Sequence, residues 1–283
     1  MTDATSRTGE IENTVDGEKN DRRDRASAID PRLFVSGAEK GLRVLRAFYN
    51  EPKPLSLTEI AESTGMGRSA AQRFLYTLKV LGYLRHDPAT RRYSLSPKVL
   101  DFGYAYLRND GLIEQSFPYL LEASKRTDET INLTELDDTE VIYVSRFPSR
   151  QVISVDIVLG ARLPTFCTAP GRAMLAQLPR EVAEGILDRS KREPRTPFTQ
   201  TNRDTILALL PEIQHNGYAL SNQESYVGDL SAASPVVNHR GEVVAAVNIA
   251  VPTPRWTIEQ VERDLAPVVV ETARAISKSL GRA

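Results

Sequence analysis

Along the chain, the spacing of apolar residues changes character near residue 112. Before that point it is helical. Ala38, Leu42, Leu45, Phe48 and Tyr49 recur at helix intervals after Ser36-Gly37-Ala38-Glu39, which has the spacing of a capping box, so a first helix is expected to end before Pro52. A second box, Ser56-Leu57-Thr58-Glu59, opens a short helix to about Ser63, and Thr64-Gly65-Met66-Gly67 turns the chain into a third helix over about 67–81. In that helix Ala71, Phe74, Leu75 and Leu78 form an apolar stripe, and Arg68, Ser69, Gln72, Arg73 and Tyr76 form a polar one. The stripe centres lie about 200° apart at ~100° per residue, so one stripe packs while the other points outward, as a DNA recognition helix requires. Gly82-Tyr83-Leu84-Arg85 and Arg92-Tyr93-Ser94-Leu95 then read as two strands of a hairpin around His86-Asp87-Pro88-Ala89-Thr90-Arg91, a wing.

The stretch from Pro97 to Leu107 is apolar on two sides, with Val99, Phe102 and Tyr106 on one and Leu100, Tyr104 and Leu107 on the other. A connecting helix that also packs on a second subunit would bury both, so a homodimer or a dimer of dimers is expected. From Leu112 helices and strands intermix. Helices are expected at 112–126, 169–177, 180–189, 203–216 and 257–279, with strands near 130–136, 140–146, 151–158, 218–222, 230–238 and 242–251. Residues 1–31 hold too few large apolar side chains to offset the entropy of ordering and are expected to be a disordered tail. The expected division is therefore this tail, a DNA-binding domain over 32–96, a linker helix over 97–110 and a second domain over 111–283.

Charge sharpens this division. Residues 31–97 hold eleven basic and five acidic side chains (net +6), whereas residues 1–30 carry net −3 and the rest of the chain net −4. A compact basic segment attracts DNA by counterion release, and the acidic remainder would repel it; a solvated basic face is the alternative. No apolar run approaches the ~18 residues of a membrane helix. No secretion signal is apparent, so the cytoplasm is expected. Cys167 is the single cysteine and His86, His215 and His239 are scattered, so neither a disulfide framework nor a thiolate metal site can be assembled, and no cofactor is expected. No Gly-x-Ser-x-Gly elbow or phosphate-binding Gly-rich loop occurs, which argues against an enzyme.

Lys40-Gly41-Leu42-Arg43-Val44-Leu45, Ser63-Thr64-Gly65 with Arg68-Ser69, Gln72 to Leu78 and Leu81-Gly82-Tyr83 resemble the DNA-binding signature of the IclR family of transcriptional regulators. Gly160-Ala161-Arg162-Leu163-Pro164, Cys167 to Arg172 and Gly217-Tyr218-Ala219-Leu220 resemble that family's effector-domain landmarks. Arg73 to Leu78 and Phe102 to Leu107 are most similar to the branch controlling catabolism of protocatechuate, 4-hydroxybenzoate and related aromatic acids. The resemblance implies a two-domain α+β protein. A winged helix-turn-helix is joined by a linker helix to a GAF-like or profilin-like α/β effector domain with a mostly antiparallel sheet. Two stretches depart from the pattern: Ser221-Asn222-Gln223-Glu224 stands where relatives carry an acidic run, and Gly228-Asp229-Leu230-Ser231 replaces Gly-Leu-Arg-Ser.

Resemblance and periodicity agree on Arg68, Ser69, Gln72 and Arg73, with Ala70 among them, as the groove-facing set, arginine suiting guanine edges and glutamine adenine. Ser56, Thr58, Tyr76, Arg91 and Arg92 are assigned to the DNA backbone. In the second domain Thr168, Ala169 and Gly171 open a helix whose first turn is either a simple cap or a carboxylate seat, the latter favoured by the resemblance. Asn248 shares a strand face with Ala246 and Ala250, and Ser231 one with Ala233; each is satisfied either by neighbours or by a ligand. The resemblance adds Ser221, Asn222 and Glu224 to the effector set. Cys167 reads as a small core residue. The expected function is operator binding controlled by a small organic acid, an aromatic acid or its ring-cleavage product, with RNA polymerase as a further contact. The alternatives are a sugar-acid effector or an interaction module that does not bind DNA.

Overall fold

The computed structural model describes residues 30–49, 51, 53–151 and 157–281. The expected tail lies almost wholly outside them, as does most of the expected strand at 151–158; Ile157 and Val158 are described and are not in a strand. Two compact units divide between Tyr106 and Leu107.

The first unit contains α1 (Ser36–Ala47), β1 (Leu55–Ser56), α2 (Leu57–Thr64), α3 (Arg68–Val80), β2 (Leu84–Asp87), β3 (Arg92–Leu95), a 3-10 turn (Pro97–Val99) and most of α4 (Leu100–Asn109). Val44, Phe48, Leu55, Ile60, Leu75, Leu78 and Leu84 form its core. Each such side chain contributes about 1.5–3 kcal/mol through burial. The box at Ser56 is complete: Glu59 N donates to Ser56 Oγ at 3.3 Å and Ser56 N to Glu59 Oε2 at 2.7 Å. The box expected at Ser36 does not form. Ser36 is the first helical residue, Val35 precedes it without a side-chain cap, and Glu39 instead pairs with Arg43 one turn on. Gly65 (φ 63°) ends α2 in the left-handed region, where a Cβ is strained. The first wing strand begins two residues later than expected. Gly82 (φ 83°) and Tyr83 are drawn back onto α3 by bonds from their N–H groups to Lys79 O and Leu78 O. A two-residue strand, β1, pairs with β3 and was not foreseen.

The second unit holds α5 (Gly111–Thr127), β4 (Thr130–Asp137), β5 (Glu140–Phe147), β6 (Arg162–Pro164), α6 (Ala169–Leu175), α7 (Arg180–Arg189), α8 (Arg203–Asn216), β7 (Ala219–Asn222), β8 (Asp229–Val237), β9 (Val243–Pro252), α9 (Ile258–Gln260) and α10 (Ala266–Leu280). The six strands form one sheet, ordered β6-β5-β4-β9-β8-β7, with every pairing antiparallel. Period-two alternation separates its faces. Ile131, Leu133, Val247, Ile249, Leu230 and Ala232 point to one face and are buried with Leu120 of α5 and Val268, Val269 and Ile276 of α10. On β4, β8 and β9 the opposite face carries mainly small and polar residues, and α6 packs its Ala169 and Ala173 there against Ala219 and Ala233, while Val141, Tyr143 and Leu163 of β5 and β6 pack with Met174 of α6. The single helix expected at 257–279 is interrupted by a π turn over Val261–Leu265. Pro267, at the start of α10, has no N–H to continue the ladder.

Candidate functional site

On α3 the apolar stripe is buried through Ala71, Leu75 and Leu78, and this turns the other stripe to solvent. Arg68, Ser69, Gln72, Arg73 and Tyr76 are exposed, and Ala70 is half-buried. Arg68, Gln72, Arg73 and Tyr76 make no side-chain hydrogen bond or ion pair among the described residues. Tyr76 is 69% exposed, far more than a packed aromatic would be. Gly67, the residue before α3, offers no side-chain cap, so the first-turn N–H groups remain directed at whatever lies in front of the helix. Thr58 is exposed on α2, while Ser56 is occupied as its cap.

The wing turn is built by Asp87, whose carboxylate accepts from Ala89 N at 2.9 Å and Thr90 Oγ1 at 2.7 Å. These bonds hold the Asp87 carboxyl below its usual range. Arg91 follows at φ 56° and is exposed at the tip. Its neighbour differs. Arg92 donates to Glu59 Oε2 at 2.9 Å and to Pro54 O at 2.8 Å, tying the wing to the start of α2. Bonds from Ser56, first its backbone N–H, with Arg92 and Lys53 adding charge, hold Glu59 down at about 2. The structure thus presents Arg68, Gln72, Arg73, Tyr76 and Arg91 outward and places Arg92 in the scaffold. Arg85, exposed on β2, is a wing cation that the sequence reading passed over.

In the second unit, Thr168 caps α6: Gly171 N donates to its Oγ1 at 3.2 Å, and that hydroxyl donates to Pro164 O at 3.0 Å. Gly171 is where it is for space, since a Cβ there would lie 2.3 Å from Thr165 O. Ala169 is buried beside them. The Glu224 carboxylate accepts three hydrogen bonds from two residues. Arg172, 3% exposed, grips both its oxygens at 2.5 and 2.6 Å, and Gln200 N donates to Oε2 at 2.9 Å. Asn222 is exposed and accepts from the Gln223 amide. Cys167 is buried, its thiol pushed up to about 11 by desolvation, as befits a core residue.

Ser221, Ser231 and Asn248 do share a face. Ser221 pairs with Ser231, Ser231 with Ala250, and Asn248 with Asn132 of β4. Asn248 Nδ2 donates to Ser231 Oγ at 3.1 Å, and Arg146 of β5 donates to Asn132 Oδ1 at 3.3 Å. Asn132 and Asn248 are 0% and 2% exposed, yet Asn132 Nδ2 and Asn248 Oδ1 have no partner among the described residues. Next to this polar floor opens a cleft lined by Glu129, Thr130, Arg146, Asp229, Ala250 and Arg255. Glu129 is taken by Arg255 at 2.6 Å and by the Trp256 indole at 2.8 Å. Desolvation pushes the Asp229 carboxyl up to about 7, against the pull of Arg146. Asn132, Arg146 and Asp229 were not singled out as binding residues from the sequence. Asp229 had a signal, its departure from the Gly-Leu-Arg-Ser pattern; the other two had none short of the sheet order. Among the described residues no group of three or more His, Cys, Asp or Glu side chains is placed to hold a metal ion. No helix of the described residues is long and apolar enough to cross a membrane.

A winged helix-turn-helix with an outward polar helix, carried in one chain with a sheet-and-helix unit that contains a polar cleft, defines a DNA-binding regulator with a ligand-binding domain. Residues 37–88 match the IclR helix-turn-helix domain and residues 104–278 match the bacterial transcriptional regulator IclR C-terminal domain, so the chain belongs to the IclR family. It is 35% identical over 251 residues to the Pca operon regulatory protein of Acinetobacter baylyi, covering 87% of this chain and 90% of that protein. It is 36% identical over 239 residues to the p-hydroxybenzoate hydroxylase transcriptional activator of the same organism, covering 81% and 87%. An IclR homologue from Microbacterium hydrocarbonoxydans, solved in complex with 4-hydroxybenzoate, shares the fold at a TM-score of 0.71 with 21% identity, covering 86% of this chain and 98% of that one. These relatives are regulators of transcription and not enzymes, and this chain is of the same kind.

Proposed function

We propose that the protein is a homodimer, or a dimer of dimers, that binds a pseudo-palindromic operator through α3 and the wing and responds to an aromatic acid or its ring-cleavage product. One observation carries the DNA half: a row of polar side chains on α3, Arg68, Gln72, Arg73 and Tyr76, stands in solvent without side-chain partners among the described residues while the reverse of the same helix is buried. Arg68 and Arg73 can take guanine edges in two-point contact and Gln72 an adenine edge, each worth about 1–3 kcal/mol of discrimination. Tyr76, Thr58 and Arg91 contact phosphates and set the register. Arg92 and Ser56 act behind this surface by holding the wing and α2 in place. The dimer reading rests on α4, which buries none of its own residues and leaves Leu100, Phe102, Tyr104 and Tyr106 largely exposed.

The acid reading rests on the cleft beside Arg146 and on what the relatives regulate or bind. One relative is a Pca operon regulatory protein, another is a transcriptional activator for p-hydroxybenzoate hydroxylase, and a third was solved with 4-hydroxybenzoate. Within the effector set, Ser221, Ser231 and Asn248 face the ligand, Thr168, Ala169 and Gly171 shape the wall, and Glu224 positions that wall through Arg172. The acid acts by binding one arrangement of the two units more tightly than another, which shifts operator occupancy and any contact with RNA polymerase. Fluorescence anisotropy on the DNA upstream of the protein's own gene tests the proposal. A specific complex that is lost on Arg73→Ala and changes affinity with 4-hydroxybenzoate or protocatechuate supports it; a wild-type protein without sequence preference overturns it.

A further inference from the structure

The DNA-binding unit spends nearly all of its own carboxylates away from α3. Glu39 pairs with Arg43, Glu51 with Lys53 and Glu59 with Arg92, and Asp87 is bonded into the wing turn; Glu62 is the fifth acidic residue of 31–97. Eleven basic side chains stand against these five. Arg68 and Arg73 of α3, Arg85 of β2 and Arg91 at the wing tip are exposed, with no side-chain hydrogen bond or ion pair among the described residues. Such an excess of one sign within a small unit is self-repelling, and an anion from any source relieves it.

The chain carries an anion of its own close by. Residues 10–18, Glu10-Ile11-Glu12-Asn13-Thr14-Val15-Asp16-Gly17-Glu18, hold four carboxylates and no lysine or arginine, a net charge of −4. Glu18 lies twelve positions before Asp30, where the described chain begins. Twelve residues reach about 40 Å when extended, and a folded unit of about 65 residues is about 28 Å across, so the acidic run has the length to meet α3. Between them Lys19, Arg22, Arg23 and Arg25 outnumber Asp21 and Asp24, so this stretch is no rival for the same cations.

Resting on the reading of α3 as the DNA-facing helix, we infer that residues 10–18 dock on its exposed face, with Arg68 and Arg73 as partners, and compete there with DNA phosphate. Carboxylates suit guanidinium groups in two-point contact, as phosphate does. Ile11 and Val15 offer apolar cover to the Tyr76 ring, which is 69% exposed. Tethering holds the run at an effective concentration on the order of millimolar, enough for weak ionic contacts to occupy the face. Competition lowers every DNA affinity by the same factor, which empties weak non-specific sites first and leaves a tight operator occupied.

Fluorescence anisotropy with the full chain tests this, on the DNA upstream of the protein's own gene and on an unrelated duplex of about 20 base pairs. The variant Glu10→Gln, Glu12→Gln, Asp16→Asn, Glu18→Gln should bind both about fivefold more tightly than the wild type at about 50 mM salt, a gap that shrinks below about twofold at about 300 mM. A peptide of residues 8–18, added at about 5 mM and matched ionic strength, should weaken DNA binding by that variant; the same peptide with the four acidic positions neutralised should not. Direct binding of the labelled acidic peptide to the variant should be lost when Arg68→Gln and Arg73→Gln are added. Equal affinities of wild type and variant overturn the inference and leave α3 as the DNA face. So does a tighter variant that the acidic peptide does not weaken, since repulsion of DNA at a distance then suffices, and so does peptide binding that survives loss of both arginines. A wild type that binds neither duplex overturns the reading of α3 as well.

Discussion

Arg73 and Arg172 carry the same guanidinium and do opposite things. On α3, Arg73 stands in water without a partner among the described residues, whereas Arg172 on α6 is enclosed and holds Glu224 in two-point contact. A surface that reads a polyanion must keep its cations hydrated and unpaired, because each pairing made within the protein would have to be broken to reach phosphate or base. A domain that encloses a small molecule does the reverse: it neutralises its buried charges internally and leaves only a few polar groups for the ligand. The contrast explains why Glu224, placed by resemblance among effector contacts, serves the scaffold in this structure.

The sharpest way to break that contrast is Glu224→Ala. It leaves Arg172 charged and enclosed, so a loss of about 3–5 kcal/mol is expected in urea denaturation. Arg172→Met with Glu224→Leu should lose much less; an unchanged midpoint with weakened acid binding would return Glu224 to the ligand. Gly171→Ala pushes a methyl against the Thr165 backbone, and about 2–3 kcal/mol should be lost, read as a lower melting temperature. Arg73→Ala should weaken the specific DNA complex by about 1–3 kcal/mol and shift the denaturation midpoint by less than about 0.5 kcal/mol. Ser56→Ala removes the cap of α2 at a cost of about 1 kcal/mol.

The smallest expected effect concerns pH. Asp229 holds its proton up to about 7 in the folded chain, whereas an unfolded aspartate releases it near pH 4. The native state therefore binds more protons between those values, and stability falls as pH rises through this window. Asp229→Asn removes the term. Discounted for the water that reaches the cleft, it should stabilise the protein by about 1 kcal/mol at about pH 8 and by nothing near pH 4, in paired thermal melts.

Helical periodicity made α3 legible, because both of its stripes lie within a single thirteen-residue segment and 3.6-residue geometry fixes their separation. The same holds for α7 and α8, whose observed ends, 180–189 and 203–216, are those the pattern predicts. Strand alternation likewise put Asn248 on a face with Ala246 and Ala250. It could not say which neighbour Asn248 meets. Asn132 is 116 positions away in the chain and becomes its partner only because β4 and β9 lie side by side in the sheet. Ser36 illustrates the local limit: its spacing to Glu39 suits a cap, but Arg43, one turn further on, takes the carboxylate.

By itself, the sequence determined the helix-turn-helix, its outward arginines and the alternation of buried and polar strand positions, since each of these depends on residues within about two turns of one another. The tertiary structure decided which charges pair with one another inside the protein. Arg92 went to Glu59, Arg172 to Glu224 and Arg255 to Glu129, while Arg146 and Asp229 came to face one cleft. Such pairings follow from strand order and sheet curvature, and these are settled by burying the apolar face of the whole sheet at once rather than by any local stretch of chain.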